Sequence, residues 1–299
     1  MKILASDLQF PEGPVELPDG SIAVVELKTG TIRQVFRDGR NSVYATPGGG
    51  PNGMAPGPGG KLYLCNAGGV RFKPGALASS GPSDDYTGGS IQTIDMLTRE
   101  VRTLYSACNG QRLSAPNDMV FDRHGGFYFT DIGKKFARYR EYGGIYYAKS
   151  DGSMITELAY MVQTPNGIGL SPDQKTLYFA ETEGGRLWAY DIEAPGVLRK
   201  LPFPSPNGAR LVCAPDGIHR FDSLAVEDNG NVCVASLNAG CICVISPGGQ
   251  LVRKVAMPDV YPTNLCFGGP TGTTAFITLS GKGQLLEMEW TGPGLKLNW

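Results

Sequence analysis

PNDMVFDRHGGFYF, residues 116–129, contains one complete structural unit. The unit begins with a polar residue behind a proline, Asn117, and continues into a short strand of alternating apolar residues. Gly125, eight residues after Asn117, marks a tight turn, and an apolar run follows at residues 127–129. Alternation, a glycine turn and a second β-rich run are typical of a β-hairpin. The stretch therefore predicts two antiparallel strands, with a polar residue at the beginning of the first.

The same unit occurs six times along the chain. The polar residues that begin it are Glu12, Asn52, Asn117, Asn166, Asp222 and Asn264. In five repeats a glycine stands eight residues further on, whereas the repeat of Asn166 has Gln174 there and a loop one residue longer. Successive polar residues are 40 to 65 residues apart, near the period of a four-stranded propeller blade. We therefore predict an all-β fold, a six-bladed β-propeller with four-stranded blades, as a single domain over residues 1–299.

The amino-acid composition limits the kinds of molecule that the protein is expected to bind. Charged residues make up 18% of the chain, and 27 Lys and Arg against 28 Asp and Glu leave a net charge of -1. Because no basic run occurs, we expect neither nucleic acid nor a membrane surface as partner, and nothing implies a protein partner. Sustained helical periodicity is missing, which excludes helical solenoids. Seven cysteines, an odd number, and a first segment without an apolar leader favour reduced thiols in the cytoplasm.

Three features lie outside the repeat. An insertion around residues 67–89, rich in Gly, Ser and Pro, is either a functional lid or a mobile loop. Residues 134–142 are cationic and aromatic, and they form either a solvated connection or part of the site. Cys241 and Cys243 lie two apart in a predicted strand and so share one face, where two small buried side chains are favoured over a metal pair.

The six polar residues predict a metal site. They begin the innermost strands of the blades, so they should meet as one ring at one mouth of the central channel. Two carboxylates and four amides offer only oxygen donors, which suits a hard divalent cation, Ca²⁺ first, with Mg²⁺, Mn²⁺ or Zn²⁺ as alternatives. A cation would also compensate two carboxylates that otherwise repel each other. The other interpretation is that Asn and Asp only close turns at strand starts; it explains less well why acids occupy just two repeats.

Several motifs in this chain resemble those of a known family. They are FPEGP (10–14), RLSAPND (112–118), FTD (129–131), GGIYY (143–147), PNG (165–167), the stretch 222–235 and TNLCFGG (263–269). In this order they resemble the gluconolactonase/regucalcin (senescence marker protein)/luciferin-regenerating-enzyme family, from about residue 10 to about residue 280. The resemblance implies a six-bladed propeller that hydrolyses a lactone with a divalent cation in its channel.

The resemblance also implies roles for individual residues. Glu12, Asn166 and Asp222 take the positions of the metal ligands, and Asn117 takes that of a substrate-contacting asparagine. Asp216, within a Pro-Asp-Gly sequence, is an alternative third ligand. A glycine stands eight residues after Asp222 but not eight residues after Asp216, so the register of the repeat favours Asp222.

The predicted reaction is metal-dependent opening of a sugar lactone or a related γ- or δ-lactone. A cation would polarise the carbonyl and activate a water. We expect Asp222 to accept the proton of that water and Glu12 to neutralise the cation. Asn117 and Asn52 would orient the substrate.

Substrate specificity should lie in the loops at the channel mouth. Arg138 or Arg140 are candidates to bind a substrate carboxylate by charge-assisted hydrogen bonds, and Tyr139 or Tyr142 to cover a ring. The chain departs from the family pattern at Ala115, where animal regucalcins have arginine, and at residues 132–133, which follow the FTD motif. The resemblance therefore does not identify a particular sugar lactone.

Other functions remain open on the sequence. A serine hydrolase is disfavoured because Gly-x-Ser-x-Gly is absent and His124 belongs to a turn at the far end of its strand from the ring. His219 is expected to be a surface residue. A non-catalytic propeller that binds a metal or sugar acid, or an esterase or phosphotriesterase with the same cation, would share the fold and the ring.

Overall fold

The computed structural model describes residues 1–77 and 79–299 of the protein. In these residues the structure has 29 strands and no helix, and so no helical segment that could span a membrane. The strands form six larger sheets, the blades, and two ribbons of two strands each. The predicted six-bladed β-propeller is confirmed.

The blades follow one another along the chain, except that β1 (Lys2–Ala5) belongs to the last. Blade 1 consists of β2 (Pro11–Glu16), β3 (Ile22–Glu26), β4 (Thr31–Val35) and β5 (Asn41–Ala45). Blade 2 consists of β6 (Pro51–Gly57), β7 (Lys61–Asn66) and, after the ribbon of β8 (Val70–Phe72) and β9 (Ser79–Pro82), β10 (Ser90–Asp95) and β11 (Val101–Tyr105). A second ribbon, β12 (Ala107–Cys108) and β13 (Gln111–Arg112), precedes blade 3.

Blade 3 consists of β14 (Pro116–Phe121), β15 (Gly126–Asp131), β16 (Gly143–Lys149) and β17 (Ile155–Val162). Blade 4 consists of β18 (Pro165–Leu170), β19 (Thr176–Glu181), β20 (Arg186–Ala194), β21 (Val197–Arg199) and β22 (Arg210–Cys213). Blade 5 consists of β23 (Arg220–Val226), β24 (Val232–Leu237), β25 (Cys241–Ile245) and β26 (Leu251–Ala256). Blade 6 consists of β27 (Pro262–Gly268), β28 (Thr274–Leu279), β29 (Gln284–Glu289) and β1.

Each blade is an antiparallel meander whose first strand is the innermost. The inner strands β2, β6, β14, β18, β23 and β27 contact one another in this order, and β27 contacts β2 to close the ring. Five blades have four strands, as predicted. Blade 4 has five because β21 and β22 pair with opposite ends of the long strand β20 and share the outermost position.

The turns between the first two strands depend on the left-handed backbone conformation. Gly125 adopts a φ of 80° in blade 3. In blade 4 the equivalent residue is Gln174, which adopts a φ of 60° despite its side chain. The side-chain oxygen of Gln174 accepts a hydrogen bond from the Arg123 backbone N–H (3.0 Å), and its side-chain nitrogen donates one to the side-chain oxygen of Asn298 (2.9 Å). These contacts compensate for the loss of the usual glycine.

The apolar core lies between the blades and within their faces. The two cysteines two residues apart in β25 are both buried and point to the same face, with their sulfur atoms 3.9 Å apart. The expectation of two small buried side chains is therefore confirmed.

The lower end of the channel, where the inner strands end, is crossed by the last segment of the chain. The Leu295 amide donates to the carbonyl of Val226 at the end of β23 (2.8 Å), and the Asn298 side chain donates to the carbonyl of Phe121 at the end of β14 (2.8 Å). Residues 295–299 thus run beneath blades 5 and 3. This arrangement leaves the opposite end, here called the upper mouth, as the approach to the channel.

Candidate active site

The six polar residues of the repeat all lie at the upper mouth, at the second or third position of an inner strand. A shift of strand register occurs at the polar residue of every blade, for example between Glu12 and Val15 or between Phe221 and Leu224. Five of the six side chains are buried, and Asn52 is partly exposed. Bulges re-aim side chains at the rims of sheets. The repeated bulge therefore explains how one sequence pattern turns six polar side chains to the same end of the channel.

Neighbouring inner strands approach so closely at this level that glycine is required beside some polar residues. A Cβ atom on Gly167, next to Asn166, would lie 2.5 Å from the Leu224 amide nitrogen of the adjacent blade. A Cβ atom on Gly13, next to Glu12, would lie 2.4 Å from the carbonyl oxygen of Asn52. Such distances are far inside contact range, so the ring is held at a fixed diameter by direct backbone packing.

Three carboxylates are buried together in this ring. Burial and the nearby carboxylates of Asp222 and Asp118 raise the pKa of Glu12 well above its ordinary value. Burial also raises the pKa of Asp118 to about 7. The pKa of Asp222 is raised by burial as well, although Asn166 and Arg220 act in the opposite direction. Arg220 compensates this cluster only in part, because the pKa values of all three carboxylates stay raised.

Asp118 was not among the residues predicted for the site. The corresponding positions in the other repeats are Gly13, Gly53, Gly167, Ser223 and Leu265. A charged residue where five repeats have small or apolar ones is the sequence signal that would have found it. In the structure Asp118 is 7% exposed and accepts a hydrogen bond from the Met119 amide (2.9 Å).

Two amide oxygens in the ring have no hydrogen-bond donor. They are Oδ1 of Asn117 and Oδ1 of Asn166, both buried, and they lack a partner among residues 1–77 and 79–299. Asn166 uses its Nδ2 to donate to Thr182 (3.1 Å), which leaves its oxygen free. An orphaned buried acceptor is costly unless something binds it. Unpartnered amide oxygens and partly compensated carboxylates fit a hard divalent cation, which takes oxygen ligands and supplies positive charge.

A metal site built from His, Cys, Asp and Glu alone does not occur in the described part of the chain, where no three such side chains converge suitably. The donor set at the upper mouth instead combines carboxylates with amides. Asp216, the alternative ligand, is exposed in the turn before β23, whereas Asp222 is buried within that strand.

The predicted rim residues lie in the loop that connects β15 and β16. Arg138 and Tyr139 are both exposed, and the Tyr139 ring stacks on Phe136 with 4.5 Å between centroids. Arg140 is partly buried, donates to the Gly133 carbonyl (3.2 Å) and lies 3.8 Å from Glu183. None of the hydrogen bonds or ion pairs found among the described residues joins Arg138 or Tyr139 to the ring.

The two histidines occupy different environments. His124 is exposed in the turn after β14, at the lower end of the channel. His219 is buried, 8% exposed, so the expectation of a surface residue is wrong. Its Nδ1 lies 2.8 Å from the Ser236 hydroxyl and its Nε2 3.1 Å from Nζ of Lys254, and these packing contacts within blade 5 remove it from water.

The insertion forms a folded arm over the upper mouth. The structure describes residues 67–77 and 79–89 of this arm, which contain the ribbon of β8 and β9; residue 78 is not among the described residues. On the side of blade 3, Nζ of the buried Lys134 donates to the carbonyls of Ala67 and Gly69 (2.6 Å each) and lies 4.4 Å from the centre of the Tyr86 ring. Burial lowers the pKa of Lys134 to about 8.

On its other side the arm packs against a cluster of apolar residues, here called the mouth cluster. The cluster comprises Phe10 and Leu27 of blade 1, Leu237 of blade 5, Tyr261 of blade 6, and Val70 and Phe72 of the arm. The Phe10 and Phe72 rings lie 5.1 Å apart, and Nζ of Lys28 lies 4.8 Å from the centre of the Phe72 ring. Blade 5 stands opposite blade 2, from which the arm departs. The arm therefore crosses the mouth instead of projecting into solvent as a loose loop.

Comparisons of the sequence and of the structure with known proteins point to the same family. The family described as SMP-30/Gluconolactonase/LRE-like region matches residues 10–281. The gluconolactonase of Zymomonas mobilis is 25% identical over 312 aligned residues, which cover 94% of this chain and 79% of that protein. The drp35 lactonase of Staphylococcus aureus is 30% identical over 202 residues, 67% of this chain but only about half, 54%, of that protein. The structure of the calcium-binding protein regucalcin from Agrobacterium tumefaciens has the same fold, with a TM-score of 0.74 and 17% identity over 99% of this chain and 100% of that one.

Proposed function

Because the chain belongs to the SMP-30/gluconolactonase/LRE-like family, we propose that it is a lactonase that depends on a divalent metal ion. The observation that carries the proposal is the ring at the upper mouth, which holds three buried carboxylates and two buried amide oxygens without donors. The gluconolactonase and lactonase relatives support a lactone as the substrate.

Glu12, Asn166 and Asp222 would hold the cation. Their donors are all oxygen atoms, which favours Ca²⁺ over softer ions. When bound, a divalent cation polarises the lactone carbonyl and lowers the pKa of a coordinated water.

The chain's own side chains would carry the protons and orient the substrate. The carboxylate of Asp222 accepts a proton from the attacking water as its oxygen bonds to the carbonyl carbon. The ring C–O bond then breaks, and the same proton is delivered to the departing oxygen, so that a hydroxy acid is released. Asn117 orients the carbonyl from within the ring, and the partly exposed Asn52 contacts the substrate at its edge. At the rim, Arg138 and Tyr139 are proposed to contact outer parts of the substrate.

The test is hydrolysis of a panel of γ- and δ-lactones, followed by acid release, in calcium and in a chelator. We expect turnover that needs the divalent ion. Asp222→Asn should lower kcat by roughly 100-fold or more, since a positioned base contributes about that much. The matched control is Asp216→Asn, which removes an exposed carboxylate six residues away and should keep full activity.

Two outcomes would overturn the proposal. Undiminished turnover in Asp222→Asn, with the fold intact, would remove Asp222 from the reaction. Failure of the wild-type protein to hydrolyse any lactone, together with calcium-dependent thermal stabilisation, would identify a binding protein instead.

A further inference from the structure

A recess of about 590 Å³ opens at the upper mouth between the tip of the arm and blades 5 and 6. It is lined by Ala76 and Leu77 of the arm and by Asn238, Val260 and Tyr261 of the blades. Leu77 is 40% exposed and Val260 is 54% exposed, although both stand beside the buried mouth cluster. Apolar side chains are the usual lining of a small-molecule site.

The recess lies on the same side of the molecule as the proposed active site, close to it along the chain. Tyr261 belongs to both the recess and the mouth cluster, and it stands three residues before Asn264 of the ring. Three residues of extended chain span about 10 Å. An extended substituent of about six carbon atoms would therefore reach the recess from a lactone whose carbonyl lies at the ring.

The blade side of the recess is held rigidly. The Asn238 amide donates to the Val260 carbonyl (2.8 Å), which ties the loops of blades 5 and 6 together. Asp259 accepts from the amides of Tyr261 (3.0 Å) and Lys282 (2.8 Å), and the Tyr261 carbonyl accepts from the Ser280 amide (2.9 Å). The wall is thus formed before any ligand arrives, which spares the cost of ordering it on binding.

The chemistry of the lining defines what can bind there. Its polar side-chain groups are the Asn238 amide and the Tyr261 hydroxyl, and no charged side chain is among the lining residues described. A polyhydroxylated sugar chain would leave hydroxyl groups without partners in this wall, at a cost in binding free energy. We infer that the recess binds an apolar substituent, and that the preferred substrates are lactones carrying an alkyl or aryl group. This inference rests on the proposed lactonase function.

The experiment measures kcat/KM for γ-lactones with side chains of none, two, four and six carbons, with gluconolactone as the polyhydroxylated comparison. Each methylene that enters the recess should raise kcat/KM about threefold to fourfold. Val260→Ser and Leu77→Ser should flatten this dependence on chain length. Val252→Ser, which changes a valine of similar exposure (48%) on the outer strand of blade 5, should keep the wild-type dependence.

The outcomes separate the two proposals. Hydrolysis that does not increase with chain length, or that is best with gluconolactone, would overturn the recess and leave the lactonase function standing. An increase that persists in both Val260→Ser and Leu77→Ser would also overturn it. If no lactone is hydrolysed, the lactonase function fails, and the recess is tested by calorimetric binding of γ-alkyl lactams of increasing chain length. Affinity that rises with length in the wild-type protein and not in Val260→Ser supports the recess, and affinity independent of length overturns it.

Discussion

Asp118 shows how a single substitution within a repeat changes the chemistry of the whole ring. Its carboxylate is buried near Glu12 and Asp222, and it has the Met119 amide as a hydrogen-bond donor. A third carboxylate increases the attraction for a cation and also increases repulsion when the cation is removed.

We therefore predict that Asp118→Asn stabilises the calcium-free protein and reduces the additional stability that calcium provides. In a chelator the variant should melt a few degrees higher than the wild-type protein, because one buried like charge is gone. In calcium the ion-induced rise in Tm should be smaller than in the wild type. Thermal melts in both conditions check this.

The matched control is Asp122→Asn, directly after the same strand. Asp122 is buried at the lower end and accepts hydrogen bonds from Gly126 (3.0 Å) and Tyr147 (2.8 Å), so its loss should lower Tm in both conditions. A similar drop for Asp118→Asn in the chelator would contradict the prediction.

His219 predicts a dependence of stability on pH. Burial and the Lys254 ammonium lower the pKa of the imidazole. The folded state therefore keeps the ring neutral at pH values where the unfolded chain, near an ordinary value of about 6.5, binds a proton. The stability associated with His219 is complete above that pH and is lost as the pH falls, by at most about 1.4 kcal/mol per pH unit.

Urea unfolding between pH 7.5 and 5 checks this prediction. His219→Gln keeps a polar side chain but cannot gain a charge, so its free energy of unfolding should fall less steeply with decreasing pH than that of the wild type. His124→Gln, which changes the exposed histidine, should follow the wild-type curve. Parallel curves for His219→Gln and the wild type would refute the assignment.

At the scale of elements, the arm depends on contacts that are distant in sequence. Lys134 fixes the base of the arm by donating to two of its carbonyls, while the arm's apolar side chains pack on the mouth cluster. Lys135, the next residue, is exposed. The pair therefore offers a variant and a matched control.

We predict that Lys134→Met loosens the arm and Lys135→Met does not. The measurement is the rate of tryptic cleavage after the exposed Arg71 in β8, followed by mass spectrometry. Cleavage should be several-fold faster in Lys134→Met, because local opening costs less free energy once both hydrogen bonds are lost. Equal rates in the two variants would show that Lys134 does not anchor the arm.

The arm also marks the limit of what the sequence could predict among the elements. The blade hairpins were predictable because alternation and a turn glycine are local signals, as for β14 and β15. The arm has no such pattern, and the sequence left open whether it is a lid or a mobile loop. Its order comes from Lys134 and Phe10, which belong to other blades.

The same distinction applies to the site. The ring positions of Glu12, Asn166 and Asp222 could be predicted from the repeat, because the same sequence pattern places each of them at the start of an inner strand. Their roles as metal ligands stay a prediction. Asp118 was missed although its charge stands out against the small or apolar residues at the equivalent positions of the other repeats. His219 was misplaced because its burial depends on the packing of blade 5, which a lone histidine in the sequence does not reveal.

At the scale of the whole molecule, the ring of blades is closed by pairing the first strand with the last. β1 pairs antiparallel with β29, with Ile3 opposite Leu286. Leu4 is buried at 3% exposure in a cluster that joins blade 6 to blade 1, including Val24 and Phe276, whereas Ile3 is 40% exposed. This closure also sets Glu12 of blade 1 beside Asn264 of blade 6, so the geometry of the ring depends on it.

We therefore predict that Leu4→Ala lowers the free energy of unfolding by about 2–4 kcal/mol, the usual cost of a cavity at a buried leucine. Ile3→Ala keeps the strand pairing and removes a half-exposed side chain, so it should cost less than about 1 kcal/mol. Urea unfolding at constant pH measures both values. Because blades 1 and 6 share one cluster, the transition of Leu4→Ala should remain a single step that occurs at lower urea. A separate early transition of blade 6 in this variant would instead show that the closure contributes only local stability.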